Sequence, residues 1–386
     1  MMAKLGDLGR IITGNTPKTS EVLNYSSNDI CFVKPSDILD GEITKLTKTE
    51  FYISEYARPK ARILPPKSVL VTCIGIIGKV AINDVECAFN QQINAIIPDF
   101  RKCLTEYLGY AIQNKQKEMQ DIANAPVVPI LNKTQFSEIE VSLPSIEEQV
   151  EIVEKINATD KLTSLRKEQL AKMDELVKSR FIEMFGNLVI GDKICTNKHK
   201  IGEIASVTKL AGFEFTKYIQ YKEQGEIIML RGLNCKKGHL VLDDIKWIDK
   251  ETSDLLPRSK LYYGDILMTY AGTIGDVAMV DADDKYHLAP NVAKITLTDK
   301  MAYNPVFLIH LFMYTTDYIM TFASVVAQAS INMEKIRNFE YYFPSVEQQN
   351  AFATFVEQTD KSKFEIQKSL EKLETLKKSL MQKYFG

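Results

Sequence analysis

Two short polar sets stand at matching places in this chain, each directly after an apolar stretch. Lys34 follows Phe32-Val33 and precedes Ser36-Asp37, while Arg231 follows Met229-Leu230 and precedes Asn234, with Lys236-Lys237 just beyond. Arginine, lysine and asparagine can each grip a base edge, aspartate can accept from cytosine, and adjacent lysines can hold phosphate. That is the chemistry of reading a surface, not of breaking a bond. A solvated charge at a strand end is the plainer alternative at both places.

Further groups carry related chemistry, each with a bland alternative. Asn15, Thr16 and Lys18 lie in a Gly-Asn-Thr-Pro loop that suits groove contact and equally suits ordinary turn formation. Asn90, Gln91 and Gln92 can pair with adenine edges, or serve as buried or edge-strand amides. Arg58, Lys60 and Arg62 alternate, which in an extended segment puts three cations on one face, for phosphate or simply for solvent. Gly75-x-x-Gly78 and Gly272-x-x-Gly275, with Thr72, Lys79, Tyr270 and Thr273 beside them, can let backbone amides approach a phosphate or can form tight turns. The first of these loops is not a phosphate-binding Walker loop, because the four-residue gap and the Ser or Thr after Lys79 are missing.

Composition narrows the class. With 45% apolar and 25% charged residues in 386, the chain is long enough for two or three well-cored domains. Its net charge of −2 argues for no particular partner, so nucleic-acid binding would need local placement of Lys and Arg or positive surface from a partner. The cysteines Cys31, Cys73, Cys87, Cys103, Cys195 and Cys235 form no Cys-x-x-Cys pair, and the His residues lack metal-ligand spacing. Free thiols, a reducing cytoplasm and no bound metal are the expectation. No apolar signal region opens the chain, and the apolar run Val69–Gly78 is too short to span a membrane.

The positioning elements announce themselves by repetition. Leu143-Pro144-Ser145-Ile146-Glu147-Glu148-Gln149 returns as Phe343-Pro344-Ser345-Val346-Glu347-Gln348-Gln349, and the offset of 200 residues holds through Phe185-Gly186 against Phe385-Gly386. Ser145 with Glu148, and Ser345 with Gln348, have capping-box spacing. No Pro or Gly then interrupts up to Phe185 or Phe385, which predicts two long amphipathic helices. In the first, the stripe runs through Val150, Val153, Ile156, Leu162, Leu165, Leu170, Met173 and Leu176; in the second, through Phe352, Val356, Ile366, Leu370, Leu373, Leu376 and Leu380. About 38 helical residues at ~1.5 Å each make a rod of roughly 57 Å. Such helices most simply bury their stripes on each other, although membership of a larger helical bundle is the alternative. Ile152, Val177, Phe181, Phe355 and Met381 fall off the stripes and are candidates for partner contact.

The segments ahead of the helices also match each other. Val69–Ala81 and Ile266–Ala278 share Thr, both glycines and a Val-Ala pair. Short β-branched runs broken by turns predict strands, followed by helices over Thr105–Ala123 and Pro305–Ala323. The expected architecture is α/β of the α+β kind: β-rich domains at 1–143 and 188–343, helical regions at 144–187 and 344–386, the long helices antiparallel about a pseudo-twofold axis.

Taken together, Thr13-Gly14-Asn15-Thr16-Pro17, Val33–Ile38, Leu64–Ile82, Asn90–Gln92 and the Leu-Pro-Ser-Ile-Glu-Glu-Gln helix opening make the whole chain resemble a specificity subunit of a type I restriction-modification enzyme. The resemblance implies a subunit without catalysis of its own, in which each β-rich domain reads half of a split double-stranded DNA target. It implies that the helices hold two modification subunits, which bind S-adenosylmethionine, and indirectly the restriction subunits, which use ATP and Mg. The second domain departs from the pattern: Lys209–Lys217 lacks the Gly-Asn-Thr-Pro loop, and Ala289-Pro290-Asn291 replaces Asn90-Gln91-Gln92. Two other classes stay open, a stand-alone DNA-modifying enzyme and a coiled-coil adaptor that does not read DNA. Asn304-Pro305-Val306-Phe307 is similar to the Asn-Pro-Pro-Tyr type motif of amino-methyltransferases, but no glycine-rich strand-turn-helix precedes it, and a helix cap explains it.

Overall fold

The computed structural model describes residues 1–123, 128–193, 197–324 and 329–386, so Cys195 lies outside the described residues. The chain divides into two compact units, Met1–Lys167 with Lys368–Gly386, and Glu168–Gln367. Both predicted helices are unbroken 40-residue elements, Ile146–Phe185 and Val346–Phe385, and each unit takes part of both.

In unit 1, a five-stranded sheet runs in the order Gly9–Thr13, Ile93–Pro98, Val69–Thr72, Val80–Asn83, Thr44–Leu46. A four-stranded sheet runs Phe51–Ile53, Ile30–Val33, Cys87–Phe89, Ile63–Leu64, with its central pair parallel. Successive side chains of a strand point to opposite faces. Accordingly Val69 and Val71 join the core under the helices while Leu70 joins the core shared with the smaller sheet. Both faces are covered, which is why these strands are apolar runs without alternation.

Unit 2 repeats the plan. Its sheets run Ala205–Lys209, Val292–Leu297, Ile266–Thr269, Val277–Met279, and Lys246–Ile248, Ile227–Leu230, Tyr286–Leu288, Lys260–Leu261, again with a parallel central pair. Ile266 and Met268 face the helix-side core, and Leu267 faces the inter-sheet core. Among the described residues the parallel pairing of Thr44–Leu46 with Val80–Asn83 is reduced in unit 2 to one parallel bridge, Gly238 with Ala278, made by the turn of a short hairpin, Cys235–Lys236 with His239–Leu240.

The long helices start as their sequence dictates. Ser145 and Glu148 cap each other reciprocally, Ser145 N–H to Glu148 Oε2 at 3.0 Å and Glu148 N–H to Ser145 Oγ at 3.3 Å, and Ser345 and Gln348 do the same. The next residue of the repeat has a role that its spacing does not reveal. Gln149 is buried, accepts from Leu104 N–H at 2.9 Å and donates to Lys102 and Pro144 carbonyls, both at 3.0 Å. Gln349 is its counterpart, accepting from Asn304 N–H at 2.9 Å and donating to Pro344 O at 2.9 Å. Each glutamine ties the long helix to the turn that opens a short helix, Thr105–Asn114 or Pro305–Tyr314.

Within each unit the helix segments run antiparallel. In unit 1, Asp160 pairs with Lys377 at 2.7 Å, and Ile152 and Ile156 share a core with Leu380, Met381 and Phe385. In unit 2, Asp174 pairs with Lys363 at 2.6 Å, and further on Phe181 meets Phe352 at 5.3 Å between ring centroids. The buried face follows the predicted stripe at Ile156, Phe352, Val356, Ile366 and Leu370 and departs from it elsewhere. Ile152, Val177 and Phe181 lie in the cores, Phe355 and Met381 pack at their edges, and Leu162, Leu165, Leu176 and Leu376 are exposed. The reason is that each helix segment also packs on its own β-rich body, so the buried face is chosen by both neighbours together.

Candidate nucleic-acid interface

One end of the larger sheet of unit 1 collects most of the polar residues singled out by sequence. Strand Gly9–Thr13 pairs with Ile93–Pro98, and the chain leaves that strand into the Gly14–Lys18 loop directly against Asn90–Gln92. Gly14 N–H donates to Ile93 O and Asn15 N–H to Phe89 O, both at 3.0 Å. A Cβ at Gly14 would sit 2.1 Å from Asn90 O, so only glycine admits this approach. Thr16 Oγ1 donates to Gln91 Oε1 at 2.7 Å, while the Asn15 amide bonds Lys60 O and Arg62 N–H, each at 2.8 Å. The Arg62 guanidinium closes the cluster on Thr13 O.

Backbone bonds bring two more segments to the same end. Asn90 N–H donates to Val33 O at 3.1 Å, which places Lys34 there, and Cys73 N–H donates to Gln92 O at 2.8 Å, which places the Gly75-x-x-Gly78 loop. Asn90 itself is buried and holds Gln92, its amide N–H donating to Gln92 Oε1 at 2.9 Å; Gln91, Lys18 and Ser36 are exposed. Asp37 is occupied, accepting from Lys34 N–H at 2.8 Å and Glu50 N–H at 2.9 Å. The Lys79 ammonium donates to Pro35 O and Ile38 O, and the Lys34 ammonium lies 3.1 Å from the centroid of the Phe51 ring.

The glycine loops are turns. Both glycines of each loop have φ between +79° and +87°. The Thr72 hydroxyl donates to Ile76 O at 2.6 Å and accepts from Lys79 N–H at 3.0 Å, and the Thr269 hydroxyl likewise donates to Thr273 O. The three alternating cations do not share one extended face. Arg58 and Lys60 belong to a 3-10 stretch, Glu55–Lys60, where Arg58 pairs with Glu55 at 2.6 Å and Glu86 at 2.7 Å and Lys60 pairs with Glu21 at 2.6 Å. The hydrogen bond from Lys60 holds the Glu21 carboxyl below its ordinary range.

In unit 2 the same positions carry other chemistry. Arg231 N–H donates to Asn234 Oδ1 at 3.0 Å, as Lys34 does to Asp37, and the buried Asn234 amide donates to Val241 O at 2.8 Å and Asp244 O at 2.9 Å. The Arg231 guanidinium pairs with Asp244 at 2.7 Å, leaving its buried Nε without a partner. Lys236 pairs with Asp276 at 3.1 Å, and Lys237 is exposed with φ of 49°. Tyr270 N–H donates to Asn291 O at 3.0 Å, the equivalent of Cys73 to Gln92, and Thr273 and Asn291 are exposed. In place of the Gly-Asn-Thr-Pro loop stands a short helix, Gly212–Tyr218, which presents Phe213; the Lys209 ammonium sits 5.4 Å from the Tyr270 ring centroid. Lys209, Phe213 and Asp244 escaped the sequence reading because no doubled motif contains them, and an isolated Phe reads as core.

A second doubled feature lies beside the helices. In unit 1 a cleft of about 980 Å³ is lined by Tyr110, Asn157, Asp160 and Glu374 among others, and in unit 2 a cleft of about 580 Å³ is lined by His310, Glu357 and Asp360. Tyr110, Asn157 and Asp160 recur 200 residues on as His310, Glu357 and Asp360. Among the described residues no group of three or more His, Cys, Asp or Glu could hold a metal ion, and no helix is long and apolar enough to cross a membrane.

The chain matches the family described as type I restriction modification DNA specificity domain over residues 1–175 and 196–378. It is 30% identical over 191 residues to the type I restriction enzyme MjaIX specificity subunit of Methanocaldococcus jannaschii, a match covering 48% of this chain and 43% of that one. It is 33% identical over 148 residues to the HindI specificity subunit of Haemophilus influenzae, covering 38% and 32%. These matches thus span less than half the length of either relative. A solved chain from work on complex assembly and conformational transition of the type I R-M system superposes with a TM-score of 0.65 at 15% identity, covering 100% of this chain and 97% of that one. The type I restriction-modification S subunit from M. genitalium gives 0.56 at 14%, covering 100% and 96%. The chain belongs to the type I restriction modification DNA specificity domain family.

Proposed function

We propose that this chain is the DNA-reading specificity subunit of a type I restriction-modification complex in the cytoplasm. Unit 1 reads one half of a split, asymmetric target in double-stranded DNA and unit 2 the other half. The observation that carries this reading is a two-sheet body built twice, with different polar chemistry at the equivalent end: Asn15, Thr16 and Gln91 in one, Lys209, Tyr270 and Asn291 in the other. Two readers held at a set distance on one side of a duplex recognise a split site, with half-sites about one helical turn (~34–36 Å) or a multiple apart. The length of the helices sets the unread spacer.

The chain has no catalytic site of its own in this reading. Two modification subunits dock on the long helices and beside the doubled clefts; they bring S-adenosylmethionine and methylate adenine. Restriction subunits join through them and use ATP and Mg. The test is reconstitution of the purified chain with its modification subunit. Sequence-dependent methyl transfer by the complex, and none by the chain alone, is the expected result. Turnover by the isolated chain would favour a stand-alone enzyme, and methyl transfer indifferent to DNA sequence would favour an adaptor.

A further inference from the structure

Each unit exposes large apolar side chains at its reading end. In unit 1 Ile76 is 59% exposed at the tip of the Thr72–Lys79 turn, with Ile130, 50% exposed, bridged to Ile74 beside it. The tip is rigidly built: the Thr72 hydroxyl clasps Ile76 O at 2.6 Å, Gly78 N–H donates to Thr72 O at 2.9 Å, and the next residue, Ile77, is buried as an anchor. Backbone bonds from Cys73 to Gln92, and from Leu131 to Cys73 O at 2.9 Å, fix the base of the turn beside the Gln91–Thr16 cluster. In unit 2 the equivalent tip carries Thr273, and the exposed apolar residue is Phe213, 71% exposed on the short helix that replaces the Gly-Asn-Thr-Pro loop. Isolated exposed apolar residues are common on protein surfaces. Ile76 differs in standing on a turn whose backbone is bonded to the candidate reading residues, and Phe213 in following the Lys209 end of strand Ala205–Lys209 by four residues on a helix tied to Ala211 by its own bonds.

Resting on the function proposed above, we infer that each unit reads one position of its half-site by apolar base contact, through Ile76 in unit 1 and Phe213 in unit 2. Ile76 fits the 5-methyl group of a thymine, the one apolar feature that a base pair offers in the major groove. Phe213 offers a flat ring that can lie against a base or wedge at a base step. Neither contact forms or breaks a bond; each contributes only discrimination.

The test maps methylated motifs in cells carrying the complete system with wild-type chain, Ile76→Asn or Phe213→Asn. Ile76→Asn is expected to lower the preference at one thymine-containing position of one half-site by about tenfold, the ordinary scale of a single mismatch. Phe213→Asn does the same at one position of the other half-site, and in both variants the spacer and the remaining positions are unchanged. Both residues are exposed, so neither substitution threatens the fold; assembly with the modification subunit is checked in parallel. If both variants keep the wild-type motif unaltered, the inference is overturned. It is equally overturned if an assembled variant loses methylation uniformly across all sequences, which is how a backbone contact behaves. A wild-type map with no split motif would instead overturn the proposed function, and so is distinguishable from failure of this inference.

Discussion

Asp37 and Asn234 meet one local demand with different side chains. Each takes the N–H three residues back and closes a one-turn 3-10 element after a strand. Asn234 is the costlier to lose, because its buried amide also bonds Val241 O and Asp244 O. Asn234→Leu is expected to destabilise the chain by about 3 kcal/mol, the range for buried polar groups left unpaired; a denaturant midpoint equal to wild type would contradict that role. A second residue-scale prediction concerns pH. His287 is buried, bonds Ser253 Oγ at 3.0 Å through Nδ1, and burial pushes its imidazole from 6.5 down to about 4. The unfolded chain therefore takes up a proton that the folded chain refuses, so stability is full above about pH 6.5 and falls as pH drops towards 4. Burial shifts His310 in the same direction. His287→Leu should flatten the decline in melting temperature between pH 7 and pH 5 without abolishing it, and parallel curves for the two proteins would refute the assignment. The sequence offers Asp37 and Asn234 as candidate base contacts, with solvated strand ends as the alternative, because their type and doubling suit that chemistry; only the fold shows that their oxygens accept backbone N–H groups.

At the scale of elements, the helix openings were the most legible part of the chain. Ser-x-x-Glu and Ser-x-x-Gln fix a start through local geometry, so no tertiary information is needed. The adjacent glutamines are different, because the N–H groups they accept from lie 45 residues earlier. Gln149→Leu leaves Leu104 N–H and two carbonyls unpaired and is expected to cost about 3 kcal/mol in unfolding experiments. Gln349→Leu should do the same, and retention of wild-type stability in both would remove the glutamines from this account. The predicted stripe is buried at Ile156, Phe352, Val356, Ile366 and Leu370, but Val150, Leu162, Leu165 and Leu176 keep the periodicity in solvent while Ile152, Val177 and Phe181 take the core. A periodicity argument sees one partner per helix, and here the β-rich body is a second. The helices also carry a prediction of the proposed function. Adding four residues to both, ~6 Å of rise, should lengthen the unread spacer by roughly two base pairs at ~3.4 Å each. An unchanged spacer in the methylated motif would show that the helices do not set it.

For the molecule as a whole, the doubling was plain in the sequence and the sheet pairing was not. The repeat at an offset of 200 residues exposes two units of one kind. The parallel pairing of Ile30–Val33 with Cys87–Phe89, and of Ile227–Leu230 with Tyr286–Leu288, joins strands more than fifty residues apart that carry no local sign of each other. The gathering of the Gly14–Lys18, Arg62, Gly75–Gly78 and Asn90–Gln92 segments at one sheet end follows from the antiparallel pairing of Ile93–Pro98 with Gly9–Thr13 and Val69–Thr72 and of Cys87–Phe89 with Ile63–Leu64, equally unmarked in the sequence, which is why it shows the candidates one by one but not assembled. The central claim is that two unlike copies of one body read two unlike half-sites. Genome-wide mapping of adenine methylation in cells with and without this chain tests it most directly. The account predicts an asymmetric motif of two short words around a fixed unread gap, present only with the chain; a contiguous motif, or one that persists in its absence, would contradict it.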